Sequence, residues 1–514
     1  MPTLDEQVAQ LAQKYRPLAA ELLREVVRIP ADFVDKPVDA GGDPLCGLSN
    51  HERPRLEYLK RKIVEVGAVQ RPEDVFFDDY GNLVWVVQDA SDGIPAKDKR
   101  VIYWDGHSDT VRALRPQWRE KTGGGVDSYD GLVDAKKLNR DFLKRELGHL
   151  PPEGEWDNLL FGRGSADQLG GVVAEVVAAK ILVELAPAGA LKGSIIRAYA
   201  TAAEEDNDGG GPLFVTRKVL PGAPPEVVPD VVILTEGTGD SKKGALGIYR
   251  GQRGRMQIEL TVTGRSCHGS MPWEGLNPLE HGGAIVAEAA RRYDKREGFL
   301  DHAFLGHGTR TASWSQLETP SDCAVPDKYT VRFDRRLTVG ETPERAVADV
   351  EALDAVKAAR AAGLKVQVSV PDYSLPTWKG FVLGNPQIYL GWVTPEEHPA
   401  IQSAVDTYRA VVTPNVGATP GTAGALRREP RVDRWIFSTD GVGFPVPADD
   451  KSIAASPRKG WVTSGAYKHP AMFGIGPGIE QNTHKIGECV DLRELQHAIA
   501  FLARFPSVFS ARKA

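Results

Sequence analysis

The alternation of apolar and polar positions divides the chain into three stretches. Up to residue 249, apolar runs of strand length alternate with segments of helical period. Val8, Leu11, Ala12, Leu18, Leu22, Leu23, Val26 and Val27 recur at helical spacing and predict an amphipathic helix over 5–29. A second helix is predicted over 53–66. Strands are predicted near 74–78 and 82–88 around the turn Asp79–Asn82, then at 101–105, 194–201 and 231–234. Helical runs are expected from the glycine-rich turn at 162–171 to Leu185, and near 211–219. Strand alternating with helix calls for a mostly parallel sheet with helices on both faces.

Beyond Tyr249 the texture changes. Arg255–Thr263 alternates like a half-exposed antiparallel strand. A helix at 277–293, strands near 309–317 and 328–338, a helix at 343–362 and a strand at 366–370 follow. Strand, helix, two strands, helix, strand is the order of a ferredoxin-like module. Residues 250–372 are therefore read as an inserted α+β domain between the two parts of the first domain, 1–249 and 373–514. After 385 the pattern predicts a helix at 397–412, short segments at 434–437 and 471–474, and a final helix at 491–504, with long loops across 414–470. Residues 112–158, with one helix near 136–147, exceed a normal connection and read as an insertion over a site or a mobile surface loop.

Composition narrows the class. At 514 residues two or three domains are expected, and 41% apolar with 26% charged residues is that of a soluble globular protein. A net charge of −6 argues against nucleic acid as the partner. No apolar run approaches the roughly 18 residues of a membrane span, and the acidic, polar N-terminus shows no secretory signal. Four scattered cysteines, Cys46, Cys267, Cys323 and Cys489, form no disulfide framework, which suits a cytoplasmic location.

The chemistry gathers at strand ends. His107 and Asp109 close the strand Val101–Asp105, Asp167 precedes a helix, Glu204 and Glu205 follow the next strand, Glu236 follows another, and His484 lies near the C-terminus. Each alone has a plain structural reading: a loop cap, a helix N-cap, a solvated acidic pair, a surface histidine. Together they sit where successive strands of one parallel sheet converge on a cleft. Two imidazoles among carboxylates suit zinc, with manganese or cobalt as alternatives. Adjacent Glu204 and Glu205 let one bind metal while the other takes a proton from a water between two ions. The chain lacks a third glycine for a dinucleotide fingerprint, a G-x-S-x-G elbow and an H-E-x-x-H pair. Cys267 beside His268 has nothing nearby to lower a thiol pKa.

GHSDTV, GRGSADQLGG, TAAEEDNDGG and ILTEGTGD resemble, in order, the signatures of the di-zinc family of aminoacylase, acetylornithine deacetylase, succinyl-diaminopimelate desuccinylase and glutamate carboxypeptidase. The stretch 247–281 and DRRLTVGETPE resemble its selenium-metabolism hydrolase branch. The resemblance implies an exopeptidase-like fold and two Zn2+ per chain, with Mn2+ or Co2+ as substitutes. It assigns His107 and Glu236 to one ion, Glu205 and His484 to the other, and Asp167 as the bridge. Asp109 would orient His107, Glu204 would be the general base and then acid, and the Asp167–Gln168 peptide would be cis. The inserted domain would form a homodimer, with His268 polarising the carbonyl in the partner subunit's site. Asn277 and one of Arg335 and Arg336 would hold the substrate. The implied reaction is amide hydrolysis of a small N-acyl amino acid or short peptide with a free carboxylate. The alternative is a binding or scaffold protein that keeps the fold without catalysis. Departures are the long 112–158 segment, the enlarged 414–470 region and Gly237 where proline is common.

Overall fold

The computed structural model describes residues 2–31, 51–416, 426–453 and 460–512. Residues 32–50 lie outside them, as do 417–425 and 454–459 within the region 414–470 expected as long loops.

An eight-stranded sheet carries the fold. Its order is Val75–Phe77, Leu83–Gln88, Ser194–Thr201, Arg100–His107, Val231–Leu234, Ala471–Gly474, Ile248–Tyr249 and Val432–Asp433. The middle four strands, from Ser194–Thr201 to Ala471–Gly474, are mutually parallel, as the strand–helix alternation predicts. Successive side chains of a strand face opposite ways, and Arg100–His107 shows the consequence. Ile102 and Trp104 enter one core with the helices Leu4–Val27, Gly170–Glu184, Pro399–Val411 and Leu492–Ala511, while Val101 and Tyr103 enter another with Trp392, Trp435 and Phe444. Each such side chain fully buried contributes about 1.5–3 kcal/mol. The helix Gly170–Glu184 is apolar on nearly every side because it lies between the sheet and the helices Leu4–Val27 and Leu492–Ala511.

A second, all-antiparallel sheet has the order Thr309–Glu318, Lys328–Leu337, Gly254–Thr263, Lys365–Ser369, with Ile388–Tyr389 added along Gly254–Thr263. Its core takes in the helices Pro278–Asp294, Pro343–Glu351 and Asp354–Ala361. Two expectations are corrected. The helix expected over 343–362 is two, broken at Ala352–Leu353, where Leu353 turns into the core. The segment expected at 434–437 is a strand at Val432–Asp433, after which Trp435 inserts against Gly474 and Tyr249. Segment 112–158 is neither a cover over the cleft nor a loose loop. It packs Leu138, Leu143, Leu147 and Trp156 with Phe161 and Cys489 into a small core of its own. Among the described residues, no helix is long and apolar enough to cross a membrane.

Candidate metal centre

The carboxyl ends of the parallel strands bring the predicted ligands together. His107 is the last residue of its strand, and Glu236 follows Val231–Leu234 directly alongside it. Asp167 lies in the turn before Gly170–Glu184, and its peptide to Gln168 is cis, as expected. Gly106 is required here: a Cβ on it would fall 2.6 Å from Thr235 Oγ1 and 2.7 Å from Gln168 Oε1. That close approach lets the Gln168 amide donate to Glu236 Oε2 at 2.9 Å.

Asp167 stands between two imidazoles. Its Oδ1 is 2.9 Å from His107 Nε2, and its Oδ2 is 3.0 Å from His484 Nε2. His107 Nε2 also lies 3.6 Å from Glu236, and His484 Nε2 lies 3.3 Å from Glu205. The donor atoms form two triads, His107–Asp167–Glu236 and Asp167–Glu205–His484, each within 4.8 Å and sharing Asp167. Glu204 belongs to neither triad. It is buried beside them, its carboxylate 3.9 Å from His107 Nε2.

Asp109 supports this arrangement from behind. Its Oδ1 is 3.2 Å from His107 Nδ1, and its two oxygens accept the backbone N–H of Glu204 and Glu205 at 3.2 and 3.0 Å. A proton on Nδ1, facing Asp109, would leave Nε2 as the nitrogen able to bind an ion. Asp109 also fixes the turn at Ala203, whose φ of 58° aims the acidic pair inward.

Electrostatics test whether metal suits this set. Burial and the neighbouring carboxylates push Glu204 and Glu236 well above the usual carboxylate range. Burial opposes charging of His484, but Asp167 and Glu205 outweigh it and lift the imidazole to about 12. So many carboxylates in one buried place favour positive charge at the His107 and His484 nitrogens, which a proton or a cation can supply. Two oxygen-and-nitrogen triads sharing a carboxylate fit a pair of divalent ions.

The centre opens into a cavity of about 710 Å3. Arg255, Gln257, Trp314, Arg332 and Arg336 of the antiparallel sheet line its far wall, and Tyr373, Glu480 and Thr483 join them. Burial raises Glu480 to about 7. The two arginines that sequence left undistinguished part here. Arg336 lines the cavity, with Ser438 Oγ 2.9 Å from its Nη1 and Asp334 Oδ1 2.8 Å from its Nε. Arg335 is buried on the opposite face, paired to Glu341 at 2.6 Å, and does not reach the cavity. Adjacent residues of a strand face apart, so only one could.

Asn277 caps the helix Pro278–Asp294, accepting from the N–H of Leu279 and Glu280, and lines no part of its own chain's cavity. His268 is exposed on a two-residue strand paired with Ala324 and also lies off that cavity. Its Nδ1 accepts the Ser270 N–H at 3.1 Å, leaving Nε2–H as the donor in the neutral ring.

Sequence reasoning passed over a buried pair that holds the turn carrying Asp167. Glu488 Oε1 accepts the N–H of Gly164, Ala166 and Asp167 at 3.0–3.1 Å, and Glu488 Oε2 meets Arg163 Nη1 at 2.5 Å. Arg163 lies inside the motif GRGSADQLGG. Glu488, hundreds of residues away, carried no local signal.

Comparison with known proteins bears on the fold and the family. A peptidase dimerisation domain, that of M20 peptidases, matches residues 250–360. The chain is 30% identical over 500 residues to the uncharacterized protein YgeY of Escherichia coli, covering 97% of this chain and 96% of the relative. It is 29% identical over 189 residues to a succinyl-diaminopimelate desuccinylase of Dechloromonas aromatica, covering 37% and 47%. The di-peptidase Dug1p of Saccharomyces cerevisiae shares the fold with a TM-score of 0.62 over all of both chains at 11% identity. None of these three carries the name of the selenium-metabolism branch, which stays an expectation from the motifs. With its sheet, its dimerisation domain and its full-length relative, the chain belongs to the M20 peptidase family.

Proposed function

We propose that the protein is a dinuclear metal-dependent hydrolase that cleaves the amide bond of a short peptide or N-acyl amino acid with a free carboxylate. The observation that carries this reading is the Asp167 carboxylate, one oxygen on each of two opposed histidines. His107, Asp167 and Glu236 would hold one divalent ion, and Asp167, Glu205 and His484 the other. Zinc best suits this donor set, with Mn2+ or Co2+ as substitutes, and when bound the ions supply Lewis acidity and make a water acidic.

The chain's own groups do the rest. Glu204, buried and outside both triads, takes the proton from the attacking water and returns it to the leaving nitrogen. Asp109 holds His107 in the binding tautomer. Arg336 offers the cavity a guanidinium for the substrate carboxylate. His268 of the partner subunit donates its Nε2–H to the developing oxyanion. Its exposure on a domain matched to a dimerisation module supports that role, with 250–372 as the dimer-forming unit and 1–249 with 373–514 as the catalytic one. No metal-ligand, base or orienting position of the family signatures is missing, which sets catalysis above a scaffold role.

Elemental analysis before and after chelation tests the reading, with turnover of a panel of dipeptides and N-acyl amino acids. About two divalent ions per chain are expected. Activity should vanish on chelation and return with Zn2+ or Mn2+. Turnover that survives complete metal removal overturns it.

A further inference from the structure

The segment 112–158 contributes nothing to the lining of the cavity. It instead meets the turn that carries His484. We propose that this segment is a clamp that fixes His484, with Asn482 as the positioning residue through which it acts; this rests on His484 being a ligand of the second ion.

Asn482 is buried, and every polar atom of its amide is used. Its Oδ1 accepts the N–H of Gly148 at 2.7 Å and of His149 at 3.2 Å, and its Nδ2 donates to the His149 carbonyl at 2.7 Å. Past His484, Lys485 Nζ donates to the Glu146 carbonyl at 2.6 Å. At Gly487 an added Cβ would fall 2.3 Å from Leu143 Cδ2, so the two segments are in close contact there as well. Residues 143–149 thus hold both flanks of the ligand. Leu143 and Leu147 are anchored in the segment's own core, which also contains Cys489, so the clamp rests on a packed body and not on a loose loop.

His484 needs such restraint. Its φ is 59°, in the left-handed region that a residue with a β-carbon adopts uncommonly and at some cost in strain. Freed from Asn482, the turn would relax, and Nε2 would leave its place between Asp167 and Glu205.

The test is titration of the metal-free full-length protein with Mn2+, resolving two sites. Asn482→Ala should weaken one site roughly 10- to 100-fold, the usual cost of losing a ligand's support, and leave the other as in the parent. Activity should return when Mn2+ is raised by the same factor, which a general loss of structure would not allow. Lys485→Met removes the clamp on the other flank and should weaken the same site to a lesser degree. It also serves if Asn482→Ala does not fold. His484→Ala sets the reference by abolishing that site. Isotherms for Asn482→Ala and Lys485→Met that match the parent, or that weaken both sites in parallel, overturn the clamp. Two intact sites in His484→Ala would instead overturn the ligand assignment beneath it.

Discussion

Glu204→Gln isolates proton transfer from metal binding. The two side chains are nearly isosteric, and Glu204 is in neither triad, so two ions should still bind. The backbone N–H of Glu204, held by Asp109, is untouched by the change. What disappears is a buried carboxylate beside the triads that, in the proposed mechanism, accepts the proton. Glu204 is only 9% exposed, so bulk water or buffer cannot readily substitute. A positioned general base contributes about 10²–10⁴-fold, or about 3–5 kcal/mol of barrier. The expected result is a fall of that size in kcat, with metal content per chain unchanged and KM moved little. Steady-state kinetics at saturating metal, with elemental analysis on the same preparation, measures both. Glu205→Gln is the contrast, since it should lose an ion along with activity. Near-parental kcat in fully loaded Glu204→Gln would refute the assignment of the base.

Dimer chemistry can be read by complementation. His268→Ala and Glu204→Gln are each expected to be inactive. A mixed dimer should regain one intact site, giving about a quarter of parental activity after random subunit exchange; no recovery would place His268 in its own chain's site. The paired arginines should also separate. Arg336→Ala raises KM in a folded protein. Arg335→Ala leaves Glu341 buried without its partner and costs about 3–5 kcal/mol of stability, read as a lower denaturation midpoint. His469 should set part of the acid sensitivity. Burial pushes its imidazole down to about 4, its Nδ1–H donates to the Pro470 carbonyl, and its Nε2 is buried with no hydrogen bond among the described residues. Because the folded pKa lies below the unfolded value, the unfolded chain takes up the proton first. Stability is fully present above pH 6.5 and falls by about 3 kcal/mol as pH drops toward 4. His469→Gln should flatten that slope in urea denaturation at pH 5 against pH 7; an equal slope would refute the assignment.

The sequence by itself determined the sheet's character and the inventory of candidate metal-binding side chains. Both are local: strand and helix periods are written in neighbouring residues, and His107, Glu204, Glu205 and Glu236 each end or follow a strand whose apolar run marks it. A parallel sheet puts such ends on one edge, so convergence could be inferred before any distance was known. The ferredoxin-like order of the inserted module was readable for the same reason.

Tertiary structure decided what depends on contacts between distant segments. Arg335 and Arg336 are indistinguishable in sequence, and only the burial of one face of their strand sends Arg335 to Glu341 and Arg336 to the cavity. Glu488 holds the Asp167 turn from more than 300 residues away, through backbone N–H groups that no side-chain pattern records. Segment 112–158 looked irregular because its apolar residues follow no single period. They pack with Phe161 and Cys489 instead, and that packing gives Asn482 the backbone of Gly148 and His149 to hold. The residue types that make a dinuclear centre possible are local properties of the chain. Their placement, and what keeps them there, comes from burial and hydrogen bonds that exist only once the chain has closed on itself.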